Sequence, residues 1–145
     1  MNYSVSSLIS LISRIHSITA DFTNKKLLSL GNLSSSHGFI LYLLSIEGTL
    51  SKGEISHRIN RDKSTTTSLI KKLIADGLVQ ETPDSADSRI KNISLTDKGM
   101  ALSPITSQIS KELLEVCYKG FSEREKEQLL SLLCRMNENV EKALQ

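Results

Sequence analysis

Between Ser51 and Gly99 the chain presents two short helix signals and then a strand–turn–strand signal, and this succession limits the fold more than any other feature. Ser51 stands three residues before Glu54, the reciprocal pattern of a capping box, in which each side chain accepts from the other residue's backbone N–H. Ile55 and Ile59 follow one turn apart on a buried face. A second helix has its N-cap candidate in Asp62 and its stop at Asp76-Gly77, because glycine enters the left-handed conformation past a helix end without a Cβ penalty. Leu78, Val79 and Thr82 then read as a strand, Pro83 to Lys91 as a long polar turn, and Ile93 and Leu95 as the returning strand. Thr96 is placed to N-cap a further helix. Two helices followed by a hairpin predict a winged helix-turn-helix.

Projected at about 100° per residue, Leu69, Ile70, Leu73 and Ile74 cluster on one side of the second helix and Thr66 falls among them, so Thr66 is a core position. Ser64, Thr65, Ser68, Lys71 and Lys72 point the other way, with Thr67 at the margin. From Arg58 to Lys72 the bases Arg58, Arg61, Lys63, Lys71 and Lys72 stand against a single acid, Asp62, a local net charge of +4. Duplex DNA rewards such a local excess through counterion release.

Four motifs in order carry a resemblance: Asp62-Lys63-Ser64-Thr65 opening the second helix, Asp76-Gly77-Leu78-Val79 closing it, Asp87-Ser88-Arg89 in the turn, and Leu95-Thr96-Asp97-Lys98-Gly99 after the hairpin. Together they closely resemble the MarR/SlyA family of bacterial transcriptional regulators, and length and flanking helices extend the likeness to nearly the whole chain. The resemblance implies a mainly α fold with a small β-hairpin wing and dimerisation helices at both ends. It implies one domain over residues 1–145, with dimerisation helices at about 1–30 and 100–145 around a DNA-binding core at about 34–99. It also implies a recognition helix in the major groove and a wing arginine, Arg89, in the minor groove, oriented by Asp87.

A chain of 145 residues fits one domain of ordinary size, and its net charge of +2 is too small for a generally basic nucleic-acid coat. Binding must therefore come from the local patch. The two cysteines, Cys117 and Cys134, fall in predicted helices and match neither a disulfide framework nor a zinc site. No basic leader precedes the first apolar residues, and Arg14 and His16 interrupt the candidate hydrophobic stretch, so the expectation is a cytoplasmic protein without membrane contact. The glycosylation-like triplets at Asn32 and Asn92 then carry no weight. No phosphate-cradling glycine loop, metal-ligand cluster or nucleophile constellation is visible, so neither an enzyme nor a cofactor is expected.

Val5, Leu8, Ile9, Ile12, Ile15, Ile18 and Phe22 keep helical spacing, as do Phe39, Ile40, Leu43 and Leu44 after a polar loop around Ser34 to Ser36. At the other end Leu102, Ile105, Ile109, Leu113 and Val116 form one stripe, and Leu129, Leu133, Met136 and Val140 another beyond the Lys119-Gly120 break. Periodicity reports burial and not its owner, so by spacing alone these faces suit packing within one chain as well as an interface. The resemblance favours a homodimer, which suits pseudo-palindromic operator DNA. Pro104 should kink its helix if Thr96 is the cap.

Arg89 reads either as a solvated loop arginine or as a minor-groove residue drawn by the narrow groove's negative potential. Asp87 reads as a turn former, as its partner, or as both. Arg61, Lys63, Ser64, Thr65, Thr67, Ser68, Lys71 and Lys91 complete the candidate DNA-binding set, with the hydroxyls placed to touch base edges or phosphates. His37 suits a capping or surface role, with near-neutral titration as the alternative use. The resemblance implies a small aromatic or phenolic effector in a crevice between dimerisation helices and winged domain, where Arg14, His16 and His37 are the polar candidates. Cys117 and Cys134 read as small hydrophobes near a C-terminal interface, and no cysteine occupies the N-terminal helix, where oxidation-sensing relatives usually carry theirs. The functional expectation is a homodimeric, ligand-responsive repressor. Its rivals are a constitutive DNA-binding protein without effector and a winged-helix protein-interaction module.

Overall fold

The computed structural model describes residues 3–87 and 89–145; Ser88, part of the wing motif, lies outside the described residues. The chain divides into two compact units, Met1–Leu113 and Leu114–Gln145. In chain order the elements are α1 (Leu8–Leu27), α2 (Ser35–Glu47), β1 (Leu50–Ser51), α3 (Lys52–Arg58), α4 (Lys63–Ala75), β2 (Val79–Pro83), β3 (Lys91–Leu95), α5 (Asp97–Cys117) and α6 (Glu123–Ala143). Single 3₁₀ turns, Val5–Ser7 and Leu28–Leu30, flank α1. No single helix among the described residues is long and apolar enough to cross a membrane.

The two helices and the hairpin stand where their caps place them. Ser51 Oγ accepts from the Glu54 backbone N–H at 3.2 Å, and Glu54 Oε2 accepts from the Ser51 N–H at 2.7 Å. The sheet has a third strand that the spacing does not announce: β1 pairs antiparallel with β3, Leu50 opposite Ile93, giving the order β1-β3-β2. A strand of two residues is too short to show alternation. The Ser34–Ser36 stretch is likewise not a loop throughout, since α2 begins at Ser35 with Ser34 as its N-cap.

Leu27, Ile40, Leu41, Leu44, Ile55, Ile70, Leu73 and Ile93 are almost wholly buried, so the core of the first unit joins the end of α1 to α2, α3, α4 and β3. Each such side chain contributes about 1.5–3 kcal/mol relative to exposure. Thr66 is buried among them, as its projection requires. Ile74 is not: it lies about 80° round the helix from Thr66, at the edge of the stripe, and is 39% exposed.

The motif after the wing has a structural reason. Helix α4 ends with Gly77 at φ +71°, and the carbonyls exposed at that end are taken up by residues entering α5. Thr96 Oγ1 donates to the Gly77 carbonyl at 2.6 Å while accepting from the Gly99 N–H, and Lys98 Nζ donates to the Asp76 carbonyl at 2.7 Å. The Thr96 N–H donates to the Leu78 carbonyl at 3.1 Å. That carbonyl oxygen occupies the place a Cβ on Gly99 would take, so the α5 backbone sits directly against β2's approach. Helix α5 is helical from Asp97 onward with Pro104 inside it, which leaves the Met100 carbonyl without its usual N–H partner.

The α5 stripe is closed in part within one chain, with Ile109 buried and Leu102 packed against the core, whereas apolar residues of the first and last helices stay open. Val5, Ile9, Ile15 and Ile18 are exposed along the first helix and the turn before it. Helix α6 has no buried residue, although Leu129, Leu130, Leu132, Leu133 and Val140 lie on it.

Candidate functional site

Helix α4 is held at its N-terminus by Asp62, whose Oδ1 accepts from the Thr65 N–H at 2.8 Å and whose Oδ2 accepts from the Thr65 hydroxyl at 2.6 Å. The hydroxyl first, and then that backbone N–H, hold the Asp62 carboxyl below the usual carboxylate range. Lys63, Ser64, Thr65, Ser68 and Lys71 are exposed, and Thr67 is half-buried. Thr67 donates its proton to the Lys63 carbonyl at 2.7 Å, and Ser68 donates to that of Ser64 at 3.2 Å. With their protons engaged, Thr65, Thr67 and Ser68 offer an outside ligand acceptor lone pairs and, for the threonines, methyl groups. Ser64 makes no such bond among the described residues and keeps its hydroxyl proton to donate.

The basic excess is smaller in space than along the sequence. Arg58 pairs with Glu47 at 2.9 Å. Lys72, read from the helix projection as facing outward with Lys71, instead pairs with Asp76 at 2.9 Å and donates to the Gly31 carbonyl at 3.3 Å. Asp76 lies one turn along the same face, and the long lysine stem lets the ammonium reach the Gly31 carbonyl as well. Within the Arg58–Lys72 segment, Arg61, Lys63 and Lys71 have no acidic partner among the described residues and keep their charge free.

At the wing, Asp87 Oδ1 accepts from the Arg89 backbone N–H at 3.0 Å and lies 3.8 Å from Arg89 Nε, so it forms the turn and faces the guanidinium at once. The Arg89 side chain is 92% exposed. Lys91 sits half-buried at the base of the wing, opposite Pro83. Sequence reasoning missed Asp84, which organises the tip. Its Oδ1 accepts from the N–H groups of Ala86 and Asp87, its Oδ2 accepts from Asn92 Nδ2 at 2.9 Å, and its own N–H donates to the Ile90 carbonyl. The Asn92 amide, then the Ala86 and Asp87 N–H groups, hold its carboxyl below the usual range. An aspartate directly after Pro83 at the head of a polar turn was the available signal.

A cavity of about 360 Å³ opens among α1, α2, α5 and the α3–α4 turn, with Leu27, Phe39, Ile59 and Ile109 as its apolar walls. His16 lines it, with hydroxyls from Thr19, Ser36 and Ser110; Arg14 and His37 do not. Arg14 is exposed on α1. His37 is buried, and its Nδ1 accepts from the Ser34 N–H at 3.0 Å, so it caps α2 and is not a surface residue. Burial first, and then the nearby Lys72 ammonium, push its pKa below the usual histidine value against an opposing pull from Asp76. Arg61, assigned from sequence to the DNA face, also lines this cavity. Cys117 and Cys134 are free and exposed, at the end of α5 and on α6.

A model of the MarR family matches residues 33–91, the span from the start of α2 to the wing. The chain is 31% identical over 113 residues to the uncharacterized HTH-type transcriptional regulator YybA of Bacillus subtilis, covering 77% of this chain and 75% of that protein. A MarR transcriptional regulator from Methanosarcina mazei superposes with a TM-score of 0.84 at 28% identity, over 95% of this chain and 99% of the other. The Staphylococcus aureus MepR–DNA complex does so with a TM-score of 0.81 at 26% identity, again over 95% and 99% of the two chains.

Proposed function

The chain belongs to the MarR family of transcriptional regulators, and from that premise we propose that it is a homodimeric repressor of the ligand-responsive kind. Helix α4 lies in the major groove of a pseudo-palindromic operator, presenting Lys63, Ser64, Thr65, Thr67, Ser68 and Lys71. The β2–β3 wing places Arg89 in the adjoining minor groove, steadied by Asp87, with Arg61 and Lys91 on the flanking phosphates. Residues of about 34–99 act as the DNA-binding core, and the helices on either side pair two copies. The protein works in the cytoplasm, a reducing compartment that suits its free cysteines.

The observation that carries this reading is that Lys63 and Lys71 on α4, with Arg61 just before it, have no acidic partner among the described residues and that Arg89 stands exposed at the hairpin tip, while Arg58 and Lys72 are neutralised by neighbours. The open apolar faces of α1 and α6 support pairing, since isolated faces of that kind need a partner to leave water. The likeness to a DNA-bound relative supports the choice of duplex. A small effector with an apolar, aromatic or phenolic body fits the cavity beside Phe39. It alters operator affinity by binding two arrangements of the winged units unequally, since a ligand with equal affinity for both shifts nothing.

The test is a set of binding isotherms on operator and scrambled duplexes at several salt concentrations. Lys71→Ala weakens every duplex and lowers the salt slope, whereas Ser64→Ala changes preference among sites. Equal losses on all sequences for both variants would overturn the α4 assignment. A stable folded monomer in sedimentation at micromolar concentration would remove the two-fold model.

A further inference from the structure

Helix α4 carries hydroxyl residues in unbroken succession from Ser64 to Ser68 and no arginine, asparagine or glutamine, the side chains that read guanine or adenine through two bonds at once. What such a helix reads depends on which way each hydroxyl bond runs. Thr67 and Ser68 donate to carbonyls of the helix itself, and Thr66 is buried. Thr65 gives its proton to a charged group instead. Its Oγ1 donates to Asp62 Oδ2 at 2.6 Å, while the other oxygen of that carboxylate accepts from the Thr65 backbone N–H at 2.8 Å.

Chemistry fixes the direction of that bond. The Thr65 hydroxyl first, and then its backbone N–H, hold the Asp62 carboxyl below the usual range, so at neutral pH it is ionised and has no proton to give. A charge-assisted O–H···O⁻ bond of this length is roughly twice as strong as a neutral one, which keeps the proton on that side of the threonine. Thr65 is exposed, and toward an outside partner it shows lone pairs and a methyl group but no donor. In the major groove adenine and cytosine present an amino donor, where guanine and thymine present a keto oxygen. A hydroxyl limited to accepting bonds the first two and not the others. Its methyl group adds a preference for adenine, because thymine opposite carries a C5 methyl and the guanine opposite cytosine does not.

Building on the regulator reading above, we propose that Asp62 is a specificity-determining positioning residue: by taking the Thr65 hydroxyl proton it makes Thr65 an obligate acceptor, which selects an amino edge, adenine before cytosine, at the base pair that Thr65 faces. Capping α4 needs only one carboxylate oxygen, and asparagine caps a helix about as well as aspartate. The second oxygen sets the polarity. In Asp62→Asn the Thr65 backbone N–H, which can only donate, holds the amide oxygen, and the amide NH₂ is left facing the Thr65 oxygen. The hydroxyl bond then reverses, its proton is released toward the groove, and the preferred edge becomes keto.

The experiment uses the full chain and a pool of randomised duplexes, with bound and unbound fractions sequenced. The pair that Thr65 faces is the one where Thr65→Val, which keeps the methyl and removes the hydroxyl, alters the preference. There the wild type is expected to take adenine or cytosine over guanine or thymine by about 3–10-fold, the worth of one hydrogen bond. Asp62→Asn reverses that ratio, and in a Thr65→Val background it leaves the ratio unchanged. Ratios between duplexes are the readout because loss of the Asp62 charge strengthens binding to every sequence alike. On one selected duplex, 2-aminopurine in place of adenine at that pair, which removes the amino group from the major groove, weakens the wild type by the same factor and does not affect Thr65→Val. Wild-type preference in Asp62→Asn overturns the proposal, as does an Asp62→Asn effect that persists without the Thr65 hydroxyl, or Thr65→Val matching the wild type at every pair. Absence of duplex binding by the wild type overturns the regulator reading itself.

Discussion

Arg89→Ala separates DNA affinity from fold, because its side chain stands almost wholly in solvent. The side chain is 92% exposed and its one ionic neighbour among the described residues, Asp87, is 3.8 Å away, so its removal touches no packed surface. The change in protomer stability should stay within about 0.5 kcal/mol. In the operator complex two wings lose one cation each. At about 0.9 per contact the salt slope falls by about 1.8, which at about 0.15 M salt is about 30-fold in affinity from counterion release alone. Loss of favourable seating in a narrow minor groove adds to this, and widening the groove by base substitution at the wing positions should therefore weaken the wild type more than the variant. Asp87→Ala should lose less, because the guanidinium remains and only its orientation and the turn are relaxed. The assay is anisotropy over a salt series on operator and groove-widened duplexes, with urea denaturation and sedimentation confirming a folded dimer. A folded Arg89→Ala dimer with unchanged operator affinity and slope would refute the wing mechanism while leaving the fold untouched.

His37→Gln tests the buried cap: with its pKa lowered in the folded chain, wild-type stability is full above the ordinary histidine value and falls as pH drops through it. Glutamine still accepts from the Ser34 N–H but does not titrate, so the wild-type urea midpoint should fall relative to that of the variant on acidification; a constant difference argues against His37. Gly99→Ala should destabilise by about 1–3 kcal/mol, because the helix-propensity gain of up to about 1 kcal/mol is outweighed by a Cβ driven into the Leu78 backbone carbonyl; a stabilised variant in chemical denaturation would contradict the close approach. Leu133→Glu should shift sedimentation toward monomer, and because Leu133 is 38% exposed in the single chain its direct cost to the protomer should be small. Assembly unchanged by that charge would place the interface elsewhere.

The sequence by itself determined the local grammar of the first unit. Ser51, Asp62 and Thr96 announce their helices because capping is a bond over three residues, and Gly77 announces a stop because its constraint is one residue's φ. Thr66 was legible as core because helical projection is rigid over two turns. The order of helix, helix and hairpin followed from these signals. What depends on atoms distant in the chain was not legible. Lys72 projects outward yet donates to the Gly31 carbonyl, which is distant in sequence, and β1 exists only because Leu50 meets Ile93. His37 was legible as a cap, but its burial was not, and of the three polar candidates for a ligand crevice His16 is the one that lines the cavity. Asp84 gains its importance from Asn92 across the hairpin. Arg61 acquires a second surface only when α1, α2 and α5 close around it. Capping and periodicity act over a few bonds and are written in neighbouring residues, while a salt bridge, a cavity wall or a cross-strand bond is made by side chains that only the tertiary path brings together.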